Sequence, residues 1–342
     1  MLDSLLKKRR LPALDGVRAV SVLIVIIYHF GLQSVPGDLG VAAFFVLSGF
    51  LITWLLLKEE GETGRISLRN FYRRRVLRIF PAFYVFFFAS FCVDYVRGQH
   101  WNGTMFLSGM FYFMNYYNAS HGHPASAIAH AWSLAIEEQF YLMWPLLFLV
   151  TKNRKALLIA AICAVATWRT LLYAFWGAPP AYVYNAFDTR FDNLAVGCLL
   201  AVLLQDERVI KAASVRRWWV PLVPMSLLII SRSFTPSIYH YTIGYTVDAV
   251  LIAVWIVQVM QLQVSGLWSW LEHPVTRYIG AISYPMYLYH IWAIGLAERS
   301  PVMKLPLAIT FTIIAASMSY HFIEKPFLKL KGRPAIRSEA AP

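Results

Sequence analysis

Charge is what this sequence has least of. Asp, Glu, Lys and Arg make up 14% of its 342 residues, where a soluble globular chain carries about a quarter. That shortage, with 58% hydrophobic residues, excludes an ordinary water-soluble domain. Cysteine is also scarce. Cys92, Cys163 and Cys198 all lie inside apolar runs, which leaves no disulfide framework and no CxxC metal site. The chain lacks internal repeats and low-complexity tracts, and the gaps between its apolar runs are too short for a separate soluble domain. One membrane domain over 1–330 is expected, followed by a disordered cytoplasmic tail over 331–342.

What the sequence does have is long apolar runs, several near the ~20 residues that cross a hydrocarbon layer. Candidate spans fall at 14–31, 39–57, 79–97, 131–150, 156–175, 190–205, 218–231, 243–262, 278–297 and 305–323. The stretch 104–118 is apolar and aromatic but short, and is expected to be interfacial or re-entrant. The run Lys7-Lys8-Arg9-Arg10 before the first span resembles a signal peptide. That span holds Arg18 and His29 and has no small-x-small cleavage site, so it is expected to be retained.

The net charge of +13 could suggest a nucleic-acid partner, but the basic residues sit between the apolar runs, which is the positive-inside pattern of a membrane protein. Ten spans with the N-terminus inside place 24 of the 31 basic residues on one side. Arg97, Arg190, Arg232, Arg299 and Lys304 fall on the other, and Arg18 and Arg169 within spans. Letting 104–118 cross would invert the later loops and destroy this asymmetry. The expected fold is therefore an all-α integral membrane bundle of about ten transmembrane helices, with both termini cytoplasmic and no nucleic-acid partner.

Ionisable residues inside spans are costly and are functional candidates by default. Arg18 and His29 are separated by about 1100° of helix rotation, about 20° past three full turns, and by roughly 16 Å along the axis. They share one face at two depths. A general base and an anion anchor suit that pair; a snorkelling Arg and a His bonded to a neighbouring helix suit it equally. In GVAAFFVLSGF, the small residues Gly40, Ser48 and Gly49 permit close helix approach or room for a ligand. The segment FYRRRVLRIFP puts arginines at the mouth of a span, suited to a polyphosphate or to anionic lipid. In HAWSLAIEEQFY, Glu137 and Glu138 lie near a helix start, where one can cap the helix and the other can orient a His or bind a sugar hydroxyl. Arg190 and Asp192 do not share a helix face and are expected to pair with other spans. Tyr287 and His290 share a face at i, i+3. Glu324 closes the last span ahead of Pro326, with a structural pairing to an arginine slightly favoured.

Taken in order, LDGVRAVSVLIVIIYHF, GVAAFFVLSGFLIT, FYRRRVLRIFP, HAWSLAIEEQFYLMWP, RFDNLAVGCLLA, ISYPMYLYH and FIEKPF resemble acyltransferase family 3, whose members O-acylate glycans and related acceptors. The resemblance runs from residue 11 to about 328. It implies a multi-pass protein of a bacterial inner membrane that moves an acyl group, expected to be acetyl, from acyl-CoA to a hydroxyl of a glycan or glycoconjugate. Acyl-CoA would be a co-substrate, with no tightly bound cofactor and no metal. The family's Arg-x10-His falls on Arg18 and His29, and its arginine cluster on Arg73, Arg74 and Arg78. Its Trp-Ser-Leu-x2-Glu-Glu falls on Trp132, Ser133, Glu137 and Glu138, its Tyr–His pair on Tyr287 and His290, and its Glu-x-Pro on Glu324 and Pro326. In that reading His29, Arg18, Glu137 and Glu138 are catalytic. Arg73, Arg74, Arg78 and Ser48 hold the donor, and Trp132, Ser133, Arg190, Asp192, Tyr287 and His290 hold the acceptor. A covalent variant has His29 or Ser48 carry the acyl group. The chain departs from the family at Pro285, which is expected to kink its span. Some members carry a fused periplasmic hydrolase-like domain; this chain ends soon after the last span and is expected to deliver the acyl group unaided. The rival reading is a transporter or flippase of glycan intermediates, with the same buried polar residues as its path.

Overall fold

A computed structural model describes residues 2–6, 11, 13–32, 34–262, 266–297 and 304–330. The basic run Lys7–Arg10 and the tail over 331–342 lie outside the described residues. Among the described residues the regular structure is entirely helical. The principal helices are α1 (Ala13–His29), α2 (Gly37–Thr63), α3 (Leu68–Val96), α4 (Trp132–Val150), α5 (Arg154–Thr170), α6 (Asp192–Leu203), α7 (Leu222–Ser233), α8 (Tyr245–Leu262), α9 (Ser283–Ala297) and α10 (Lys304–Ser319). Each falls on one of the spans expected from hydropathy. Among the described residues six helical stretches are long and apolar enough to cross a membrane, and Asp192–Leu203 and Leu222–Ser233 are shorter apolar helices.

Local chemistry sets the helix ends. The Ser67 hydroxyl accepts from the Asn70 amide to start α3, and Asn153 accepts from the Ala156 amide to start α5, each satisfying a donor the helix leaves open. Gly64, with φ 68°, ends α2 in the left-handed region that glycine adopts freely. The stretch 104–118 divides into Gly103–Met110 and Met114–His121. Tyr112 breaks it with φ 58°, and neither eight-residue helix is near the length of a crossing.

Glycines bring the central helices together. A Cβ on Gly49 of α2 would stand 2.0 Å from the Leu194 carbonyl oxygen of α6, and one on Gly197 of α6 the same distance from the Val46 oxygen of α2. The α2–α6 crossing is thus made backbone to backbone. A Cβ on Gly40 would likewise stand 2.5 Å from the Ser21 oxygen of α1. Of the three small residues in GVAAFFVLSGF, Gly40 and Gly49 serve packing and Ser48 faces a cavity. Outward, α3, α4 and α7 expose Val85, Phe88, Leu142, Leu146, Leu147, Leu227 and Ile230, the apolar surface that lipid requires.

Pro285 marks a break in the span expected over 278–297. It sits in the first turn of α9, which begins at Ser283 after a short helix ending at Ala281. There proline removes no helical hydrogen bond, because the first-turn amides have no intrahelical acceptor.

Candidate functional site

A cavity of about 100 Å³ opens between α1, α2, α3, α4 and α9, enough room for several waters. Arg18, Arg75 and Arg78 line one part of it, with Glu137, Glu138, Tyr141 and Ser48 alongside. Helix geometry explains the grouping. Arg75 and Arg78 lie one turn apart on α3, and Glu137, Glu138 and Tyr141 lie within one turn of α4. The Arg18 guanidinium donates to Asp15 at 3.0 Å, Ser48 and Tyr141 are joined hydroxyl to hydroxyl, and Arg75 stacks over the Tyr141 ring at 5.1 Å. Three cations and two carboxylates thus share one enclosed space, which can hold an anion without leaving an uncompensated charge in the membrane.

The arginines are not distributed as the motif suggests. Arg78 lines the cavity, but Arg73 is exposed and donates to the Leu330 carbonyl at 2.9 Å. Arg74 pairs with Glu59 at 2.8 Å. The cavity takes Arg75 instead, a member of the arginine run that the family resemblance leaves out of the donor site. Its signal was the i, i+3 relation to Arg78, and that of Tyr141 was the i, i+4 relation to Glu137.

At its other end the cavity reaches Phe44, Ser133 and Tyr287. The Ser133 and Tyr287 hydroxyls are 2.7 Å apart, and Tyr287 donates to the His130 carbonyl at 2.9 Å. Beyond Tyr287 three imidazoles meet edge to face. Ring centroids are 5.0 Å apart for His29 and His290 and 5.1 Å for His290 and His130. His130 opens the quoted motif HAWSLAIEEQFY yet was not singled out; its place beside His290 depends on a contact 160 residues away in the chain. His29 is exposed at the end of α1, and its Nδ1 lies 2.8 Å from the Val25 carbonyl. An oxygen acceptor there assigns the proton to Nδ1 and leaves Nε2 with a lone pair. His290 is buried, with Nδ1 2.7 Å from the Tyr287 carbonyl and Nε2 without a partner. Arg18 and His29 therefore stand at opposite ends of one polar track along α1, with Tyr287 between.

The remaining candidates separate. Trp132 packs on Tyr184, with ring centroids 4.7 Å apart, beside the buried Arg190. His123 lies beyond Tyr184 at 6.3 Å. Burial chiefly holds the His123 imidazole below its ordinary range, and the nearby His29 acts in the same direction. Asp192 is taken up by structure: its Oδ2 accepts from Arg169 at 3.0 Å and from Thr246 at 2.5 Å, with both charged side chains fully buried. The pairing with another span expected for Asp192 is thus seen, and Arg190 is not its partner. Glu324 is buried in a turn, Tyr320–Glu324, packed against α3. Among the described residues no cluster of His, Cys, Asp or Glu is arranged to hold a metal.

Comparison with known proteins matches residues 11–321 to a family model described as an acyltransferase domain. A Bacillus subtilis (strain 168) protein provisionally named a peptidoglycan O-acetyltransferase is 33% identical over 93% of this chain and 55% of its own length. The peptidoglycan O-acetyltransferase of Listeria monocytogenes is 32% identical over 94% of this chain and 56% of its own. A Staphylococcus aureus (strain COL) protein provisionally named an O-acetyltransferase is 32% identical over 94% and 58%. The chain spans about half the length of these relatives. No solved structure matches it.

Proposed function

The chain belongs to acyltransferase family 3, and on that premise we propose that it moves an acetyl group from acetyl-CoA to a hydroxyl of an envelope glycan. In this reading ten helices cross a bacterial inner membrane with both termini in the cytoplasm. The Arg18 end of α1 faces the cytoplasm and the His29 end faces outward. The division of 104–118 into two short helices supports a segment that does not cross. The names of the relatives support a glycan acceptor.

One observation carries the reading: the cavity that begins at Arg18, Arg75 and Arg78 and ends at Tyr287, against the ring of His290 and so next to His29. The arginines bind the CoA phosphates from the cytoplasmic side, where guanidinium forks suit phosphate oxygens. The thioester arm runs along the cavity toward Tyr287. Nε2 of His29 takes the proton of the acceptor hydroxyl, the oxygen attacks the thioester carbonyl, and the C–S bond breaks. The CoA thiolate leaves and is protonated in turn by the His29 imidazolium, so the base is regenerated. Glu137 and Glu138 balance the cation charge around the donor.

The test incubates the purified protein in lipid nanodiscs with acetyl-CoA carrying a labelled acetyl group and with glycan lipids from the host membrane, and reads products by mass spectrometry. Labelled O-acetyl glycan with release of free CoA is expected. Movement of glycan lipid across proteoliposomes without CoA release would instead establish the transporter reading.

A further inference from the structure

Arg190 is fully buried, and none of its three guanidinium nitrogens has a hydrogen-bond partner. The other cations nearby each have a carboxylate partner. Arg169 donates to Thr242, Thr189, Asp192 and Thr246, and Arg232 pairs with Asp38 at 2.8 Å and Asp248 at 2.5 Å. The carboxylates that could neutralise Arg190 are therefore committed elsewhere. What surrounds it is aromatic: the guanidinium lies 3.8 Å from the ring centre of Tyr245, 5.3 Å from Tyr184 and 6.0 Å from Trp132. Ring faces attract a cation but accept none of its five N–H donors in the fork geometry they are built for. A buried polar group left this way calls for a water, an ion or a ligand that completes it.

Position supplies the second argument. Trp132 precedes Ser133, whose hydroxyl bonds Tyr287, and Tyr287 leans on His290, which meets His29. The aromatic cage thus adjoins the cluster that holds the proposed base. Of the three aromatic residues Tyr184 is the least buried, so an incoming group passes it, on the side where His123 lies.

We propose that Arg190, walled by Trp132, Tyr184 and Tyr245, is an anion subsite that binds a carboxylate or phosphate on the acceptor glycan and so sets which sugar reaches His29. The inference rests on the acyl-transfer reading for the word acceptor, but the anion site itself does not. Planar bidentate pairing of guanidinium with either anion supplies the affinity, and the rings supply apolar faces for the sugar.

Two assays separate the claims. The first measures kcat/KM for labelled acetyl transfer to three acceptors on one aglycone: a glucuronide, a glucoside and a glucose 6-phosphate glycoside. The anionic acceptors are expected to lead the neutral one by about 10- to 100-fold, the range of a charge-assisted hydrogen bond. Arg190→Met is expected to bring that ratio near one. Arg190→Lys, which keeps the charge without the fork, is expected to retain more of the phosphate preference than of the carboxylate preference; it carries the test if the Met variant does not fold. The second assay reads thermal stabilisation by glucuronate or glucose 6-phosphate against glucose at matched ionic strength, and expects an anion effect in the wild type that Arg190→Met loses. Equal use of neutral and anionic acceptors, or an anion effect that survives both substitutions, overturns the subsite. Anion-dependent stabilisation without any transfer keeps the subsite and sinks the acyl-transfer reading.

Discussion

The His29 and His290 rings meet edge to face with centroids 5.0 Å apart, although they lie on helices at opposite ends of the chain. His290 is buried, and its Nε2 has no partner. A base that becomes an imidazolium gains from a neutral imidazole nearby that can accept or pass a proton. His290→Gln keeps a hydrogen-bonding group but cannot carry a proton. It is expected to lower kcat by about 10-fold, at the weak end of acid–base effects, with the donor KM unchanged. Steady-state kinetics with labelled acetyl-CoA check this; an unchanged kcat contradicts it.

The arginine assignment makes a sharper contrast. Arg75 lines the cavity, while Arg73 is turned toward Leu330. Arg75→Ala is expected to raise the acetyl-CoA KM by about 10- to 100-fold, the scale of a lost charge-assisted hydrogen bond. Arg73→Ala, at an exposed position, is expected to change it by no more than about 2-fold. The reverse order would return the donor site to the exposed end of the arginine run.

How far the sequence reached differs from residue to residue. Arg18 and His29 were placed on one face at two depths by helix geometry alone, because both lie on one continuous helix. Arg73, Arg74 and Arg75 are consecutive and point in three directions, so choosing among them needed the neighbours that only the folded bundle supplies. Gly49 is legible as a small residue, but its crossing with Gly197 is not, since it joins segments 148 positions apart whose pairing no periodicity encodes. That Asp192 pairs with another span is legible from its place in the sequence, but that the partner is Arg169 is not. The isolation of Arg190 is a property of its surroundings and left no mark in the sequence.

The α2–α6 crossing tolerates no side-chain carbon. Gly49→Ala puts a Cβ 2.0 Å from the Leu194 oxygen, so the helices have to separate. Overpacking of this kind costs about 1–3 kcal/mol or more. The expected outcome is a lower melting temperature in detergent and reduced activity through displaced Ser48. Gly61→Ala, where nothing lies within 4 Å, is the control and is expected to melt like the wild type.

Arg169 and Asp192 form a fully buried ion pair at 3.0 Å. Removing one partner strands a charge, which costs about 3–5 kcal/mol. Arg169→Met alone is expected to abolish accumulation of monodisperse protein. The double variant Arg169→Met/Asp192→Asn is expected to recover part of it, because no bare charge remains. Size-exclusion profiles in detergent report the outcome, and a well-folded single variant would contradict the assignment.

The central claim is that His29 is the base for acyl transfer, and His29→Ala tests it most directly. The variant, checked for wild-type folding by its melting temperature, is incubated with labelled acetyl-CoA and glycan acceptor. A loss of about 10²- to 10⁴-fold in the rate of labelled product is predicted, with acetyl-CoA binding retained at the arginine end. Turnover at the wild-type rate would contradict the mechanism.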